Sequence, residues 1–377
     1  MAERPCTGLQ ILLPRFDSGR GLQPAPADRI NPDRRGGTPT PMSELFGSSS
    51  PRHGGDLDYA TRAYGLPPGG WLDLSTGINP TRYPLPPPAG DALARLPDRA
   101  ALARLVSLAR RVYRVPDGVG LVAVPGTELA IRLIPLIAPP GQVAIAGPTY
   151  GSHAEAWRLA GRDVTVAPDV RGETVVGVIV NPNNPDGRIT PPAEILERAK
   201  KSRLLVVDEA FADATPEASV IPAMAGTDAV VLRSIGKFYG LAGVRLGFVA
   251  AAPTFAGRLG ALLGDWPVSG PALAAGIVAL ADDAWRAKMI QSLQTDSAAL
   301  RDLLRGHGLN IAGSAPLFVL AATDDAQGLH RRLGERGIWT RAFADQPRWL
   351  RFGLPGREGM KRLEDTLSAL RRATTAR

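Results

Sequence analysis

The stretch VVGVIVNPNNPDG, residues 175–187, opens as an apolar run and ends in a cluster of amides and prolines. Nothing polar interrupts 175–180, so neither face of a strand there suits water. Strands buried on both faces belong to parallel sheets. Two further stretches repeat the design: LLVVDEAF at 204–211 and AVVLRSIGKFYG at 229–240. In each, an apolar run stops and polar residues follow at once. Shorter runs at 143–146, 164–167 and 246–250 are of the same kind, and helical patterns such as 129–137 and 193–201 lie between them. This alternation predicts an α/β fold with a mainly parallel sheet.

The pattern changes after 272. A long helical stretch at 284–307 leads to a strand at 317–321, a helix at 328–336, a strand at 349–353 and a closing helix at 360–373. The expected division is a large domain over 91–271 and a small C-terminal domain over 272–377, joined by the long helix. Residues 43–90 read as a loop-like, Pro- and Gly-rich arm that packs on the small domain or covers the site. Residues 1–42 are rich in Pro, Gly and Arg, and their apolar run at 11–13 is too short for a signal peptide. They are expected to be a disordered extension, with Met42 as an alternative start.

Of the 377 residues 44% are hydrophobic and 21% charged, enough for a sizeable core. No run approaches the roughly 18 apolar residues of a spanning helix, so no membrane partner is expected and the cytoplasm is the default location. A single cysteine, Cys6, excludes an internal disulfide, and the four histidines lack the spacing of a metal site. The net charge of +8 arises from 44 Lys and Arg against 36 Asp and Glu. The basic residues are interleaved with acids, so an anionic small substrate explains the charge at least as well as nucleic acid does.

Ligands of open α/β sheets sit outside the carboxyl ends of the strands. There the chain offers Asn184 after the first run, Asp208 after the second, and Ser234 and Lys237 after the third, with Arg245 soon after. Pro125, Gly126, Thr127 and Glu128 precede the helix at 129 as a flexible turn with a capping hydroxyl. A helix N-terminus, a hydroxyl and a guanidinium suit a phosphate. A desolvated lysine can form a Schiff base, and an aspartate facing a pyridine nitrogen keeps it protonated. That donor set suits pyridoxal phosphate. Each residue alone has a plainer reading: Asp208 as a helix cap, Lys237 on the surface, the Asn-Pro cluster as a turn, Tyr150 in the core.

Taken in order, Asn181–Gly187 with Asp208, Glu209 and Ala210, then Ser234-x-x-Lys237 and Arg245, resemble the fold-type I pyridoxal-phosphate enzymes of the histidinol-phosphate aminotransferase group. The resemblance implies that fold, a large domain with a smaller C-terminal α/β domain. It also implies that Lys237 carries the cofactor, Asp208 pairs with its ring nitrogen and Asn184 bonds its phenolate. Thr127, Ser234 and Arg245 would hold its phosphate, Tyr150 would stack on its ring, and Arg351 would take a substrate α-carboxylate. A homodimer is expected by the same resemblance. Leu96 stands where the group often has a tyrosine that reaches the partner subunit's cofactor, and a leucine cannot make that contact.

The reaction depends on which substrate bond is held perpendicular to the cofactor ring. Three features resemble the threonine-phosphate decarboxylases of cobalamin biosynthesis. They are His53-Gly54-Gly55 followed by LDLSTGINP at 72–80, Phe211 where many aminotransferases of the group have tyrosine, and Arg341 as a second small-domain arginine. His53, Arg341 and Arg351 would then form an anion site for a phosphorylated amino acid. The implied reaction converts L-threonine O-3-phosphate to (R)-1-amino-2-propanol O-2-phosphate and CO₂. Transamination of histidinol phosphate is the alternative. Gly54, Gly77 and Asn184 would join the substrate site by the same resemblance, but Gly77 departs from the pattern: members of that family can carry a substrate-contacting asparagine there, so one phosphate contact is either missing or replaced by a backbone N–H.

Overall fold

The computed structural model describes residues 53–87, 90–170 and 174–375. The extension expected over 1–42 lies outside the described residues. The strands in chain order are β1 (Leu72–Asp73), β2 (Gly120–Val124), β3 (Val143–Ala146), β4 (Val164–Ala167), β5 (Thr174–Val180), β6 (Ser202–Asp208), β7 (Ala229–Ser234), β8 (Gly247–Ala251), β9 (Asn310–Ala315), β10 (Phe318–Ala322), β11 (Ile338–Trp339), β12 (Arg341–Ala342) and β13 (Trp349–Gly353).

β2 to β8 form one sheet in the order β2-β8-β7-β6-β5-β3-β4. All neighbours are parallel except β8, which is antiparallel to both β2 and β7. The period of two in a strand sends alternate side chains to opposite faces. Leu204 and Val206 enter one core with Ile131, Ile134 and Trp157, while Leu205 and Val207 enter the other with Leu105 and Leu273. Helices Thr127–Ile137, Ser152–Leu159 and Pro253–Leu263 cover the first face, and Arg99–Val112 and Gly270–Ala281 the second. Apolar runs without a polar face therefore bury both sides, as expected of parallel strands.

The register aligns the functional ends. Val180 lies opposite Asp208, and Asp208 opposite Leu232. β2 runs in the same direction as β7, so the turn at Gly126 leaves the sheet at this same edge.

A second sheet, antiparallel, has the order β12-β13-β10-β9, and β1 pairs in parallel with β11. One reading of the sequence needs correction, and one helix lies where the sequence pattern marks no element. Residues 43–90 are not loop throughout: Leu57–Tyr64 is a helix, capped by Asp56, whose carboxylate accepts from the Tyr59 N–H at 2.8 Å. Eight residues give barely two turns, too short a window for a helical period to stand out from the prolines around it. Gly270–Ala281 is a helix with no sequence signature of its own, because it is apolar on nearly every side and buried between neighbours. Among the described residues no helix is long and apolar enough to cross a membrane.

Candidate active site

A cavity of about 770 Å³ opens at the carboxyl ends of β5, β6 and β7, and every residue assigned above to the cofactor or the substrate lines it. From the large-sheet side come Gly126, Thr127, Glu128, Tyr150, Asn184, Asp208, Ser234, Lys237 and Arg245. From the other side come His53, Gly54, Gly77, Arg341 and Arg351.

The asparagines after β5 divide their work. Asn181 is buried, donates to the carbonyls of Ala218 and Thr190 at 2.9 and 3.2 Å, and accepts from the Thr190 N–H. Asn183 donates to the Pro148 carbonyl at 3.0 Å and accepts from the Thr149 hydroxyl at 2.6 Å, which ties the Tyr150 turn to this one. With those amides consumed, only Asn184 faces the cavity. Its carbonyl oxygen accepts from the Arg351 guanidinium, so its amide N–H groups remain to donate.

Asp208 ends β6 and is 3% exposed. One carboxylate oxygen accepts from the Ala210 N–H at 3.0 Å, and the other lies 2.9 Å from His153 Nε2. His153 is equally buried and was not singled out from the sequence, although its place three residues after Tyr150 at the head of a helix was the available signal. Behind Asp208, Glu209 and Asp213 both pair with Arg233 at 3.0 and 2.8 Å, all three buried. Burial raises both carboxyls, and the two acids together raise the Arg233 guanidinium against the effect of burial. This pair joins the chain next to Asp208 to the chain next to Ser234.

Lys237 sits on the one-turn helix Ile235–Phe238, which Ser234 caps by accepting from the Gly236 N–H at 3.2 Å. Residues from the arm hold this turn: the Asn79 side chain donates to the Phe238 carbonyl at 2.8 Å, and the Asn79 N–H donates to the Lys237 carbonyl at 3.0 Å. The amine lies 5.9 Å from the Phe211 ring centroid and has no ion-pair partner among the described residues. Burial, and then the nearby Arg351, lower it from 10.5 to about 8.

The helix Thr127–Ile137 opens with Gly126 at φ 83° and no side-chain cap, so its first N–H groups face the cavity. A Cβ at Gly126 would stand 2.6 Å from Arg245 Nη2, so only glycine lets the guanidinium lie against the turn. Uncapped amides, a guanidinium and the Ser234 hydroxyl together fit the phosphate of pyridoxal phosphate. The buried Asp208 and the unpaired Lys237 amine fit its ring nitrogen and its aldehyde. Tyr150 donates to Glu128 at 3.1 Å, and burial pushes its hydroxyl up to about 12.

Arg341 on β12 and Arg351 on β13 are direct cross-strand partners. Arg351 is 6% exposed and donates to two neutral acceptors, the Asn184 amide oxygen and the Ser75 carbonyl at 2.7 Å, while its Nε has no partner. Burial and then Arg341 lower its guanidinium to about 10, against a weaker opposing pull from Asp73. Burial likewise lowers His53 and Arg341.

The departure at Gly77 has a steric cause. A Cβ there would lie 2.8 Å from the Phe211 ring and 3.1 Å from Phe318. The Phe211 and Phe318 rings pack edge to face at 5.1 Å and leave no room for an asparagine.

Over residues 97–367 the chain matches the family described as aminotransferase class I and II. A threonine-phosphate decarboxylase from Sinorhizobium sp. is 42% identical over 328 residues, which cover 84% of this chain and 98% of that protein. A threonine-phosphate decarboxylase from Pseudomonas aeruginosa is 38% identical over 319 residues, covering 81% and 93%. Among solved structures, the histidinol-phosphate aminotransferase from Sinorhizobium meliloti in complex with pyridoxal-5'-phosphate aligns with a TM-score of 0.68 at 19% identity, covering 83% of this chain and 95% of that one.

Proposed function

The chain belongs to the aminotransferase class I and II family, and from that premise we propose that it is a pyridoxal-phosphate-dependent decarboxylase of L-threonine O-3-phosphate. The Cα–carboxylate bond breaks, CO₂ leaves, and a proton takes its place on Cα to give (R)-1-amino-2-propanol O-2-phosphate. Bound pyridoxal phosphate supplies an electron sink for the pair left behind. Lys237 carries it, Asp208 keeps the ring nitrogen protonated, and Asn184 donates to the ring phenolate. The Thr127 helix end, Ser234 and Arg245 hold the phosphate, and Tyr150 packs on the ring. The proposal includes a cytoplasmic homodimer. It rests on the resemblance to the family.

The observation that carries the reading is the Arg341–Arg351 pair. Like charges directly opposite in a sheet repel, and Arg351 is buried with two neutral hydrogen-bond acceptors, a costly setting for a cation. A substrate with both a carboxylate and a phosphate offsets both costs, and the relatives named above act on such a substrate by name. Arg351 takes the carboxylate, while Arg341 and His53 take the phosphate. Loss of one buried charge-assisted contact costs roughly 2–4 kcal/mol, or about 30- to 1000-fold in kcat/KM. Arg351→Ala is therefore expected to cripple turnover of threonine phosphate by that factor while cofactor loading, read from absorbance, is unchanged. Arg351→Lys restores the charge without the bidentate fork and is expected to recover only part. Wild-type kcat/KM in Arg351→Ala would remove the proposed substrate site.

A further inference from the structure

The three side chains assigned to the substrate, two guanidiniums and an imidazole, stand on three separate segments, and those segments meet on residues 72–75. β1 pairs with β11 through Leu72 and Asp73, and the Leu74 N–H donates to the Trp339 carbonyl at 2.7 Å, two residues before Arg341. The Gly353 N–H donates to the Leu74 carbonyl at 2.7 Å, two residues after Arg351. The Ser75 carbonyl accepts from Arg351 directly.

The segment that bears His53 has a different attachment. The Gly55 N–H donates to the Ser75 hydroxyl oxygen at 2.7 Å, and that hydroxyl donates to Asp73 Oδ1 at 2.5 Å. Asp73 Oδ1 also accepts from the Ser75 N–H at 2.8 Å. The backbone of Gly54 approaches so closely that a Cβ there would stand 2.2 Å from the Ser75 carbonyl oxygen. Ser75 is fully buried, and its hydroxyl is both donor and acceptor in this chain of contacts.

We propose that Ser75, held by Asp73, is a positioning residue that latches the 53–55 turn beside Arg351 and so sets the affinity of the site for the phosphate end of the substrate. The inference rests on the function proposed above. Ser75 lines the cavity, but its hydroxyl is taken up by Gly55 and Asp73, and Gly55 carries His53 with it. Removing the hydroxyl frees the turn but leaves the backbone carbonyl that holds Arg351, so the carboxylate end is spared.

The test compares the loaded wild-type enzyme with Ser75→Ala, Asp73→Ala and Asp73→Asn. For Ser75→Ala and Asp73→Ala the expected result is a rise of roughly tenfold in KM for threonine phosphate, equivalent to about 1.4 kcal/mol. Binding of inorganic phosphate, measured by calorimetry on the loaded enzyme, weakens by a similar factor, while kcat and melting temperature stay near wild type. Asp73→Asn keeps an acceptor for Ser75 and stays close to wild type in both readouts. The proposal is overturned if KM and phosphate affinity are unchanged in Ser75→Ala, or if kcat, cofactor loading and melting temperature fall together while KM does not move. A wild type that binds phosphate but does not turn over threonine phosphate would instead defeat the functional reading, and the calorimetric comparison would still decide the role of Ser75.

Discussion

Lys237→Ala is expected to abolish covalent attachment of pyridoxal phosphate and to reduce decarboxylation to background, with the fold intact. Burial lowers the Lys237 amine to about 8, so a much larger fraction is neutral at pH 7 than for a surface lysine at 10.5. Only the neutral amine attacks the cofactor aldehyde. In the wild-type apoprotein the rate of covalent uptake is therefore expected to rise with pH and to level off above about pH 8, and not to keep climbing toward 10.5. Borohydride treatment followed by peptide mapping is expected to find the cofactor on the peptide that contains Lys237. Attachment at Lys200 or Lys201, which end a surface helix, would refute the assignment.

Asp208→Asn is expected to leave cofactor binding and melting temperature close to wild type but to lower kcat sharply. The carboxylate is 3% exposed and anchored by His153 and the Ala210 N–H, so an isosteric amide fits the same space. What is lost, on the role proposed for Asp208, is the carboxylate that pairs with the ring nitrogen. Breaking a buried charge pair costs about 3–5 kcal/mol, and if that loss falls on the transition state, turnover drops by roughly 10²- to 10⁴-fold. Single-turnover kinetics on the loaded variant measure it directly. Turnover within a factor of two of wild type would exclude the role given to Asp208.

The parts of this site that were legible in the sequence are those whose chemistry is local. Asp208, Asn184 and Lys237 each follow an apolar run within a few residues, so the strand pattern itself points to the edge where they emerge. The same holds for Thr127 at the head of its helix. What was hidden depends on pairing between distant segments. His153 meets Asp208 across 55 residues of sequence. The place of His153 three residues after Tyr150 is the one local signal, and it is weak, because a histidine in a helix of mixed composition reads as one more polar residue. Arg341 and Arg351 were each visible, but their direct opposition follows from the register of β12 against β13, and that register needs the intervening turn to be known. The 53–55 turn and Ser75 lie 20 residues apart in a stretch that reads as loop, and one hydrogen bond with the close approach of the Gly54 backbone, not apolar periodicity, joins them. Gly77 read as a missing contact until the Phe211 and Phe318 rings accounted for the space.

The central claim is that the substrate loses its carboxylate and keeps its amine. The most direct measurement is CO₂ release by the purified, pyridoxal-phosphate-loaded protein from L-threonine O-3-phosphate with no 2-oxo acid present, set beside glutamate formation from histidinol phosphate and 2-oxoglutarate. The expected result is sustained release of one CO₂ for each 1-amino-2-propanol O-2-phosphate formed, with little or no glutamate from the second pair. No CO₂ from threonine phosphate, together with rapid glutamate formation, would contradict it and make the protein an aminotransferase.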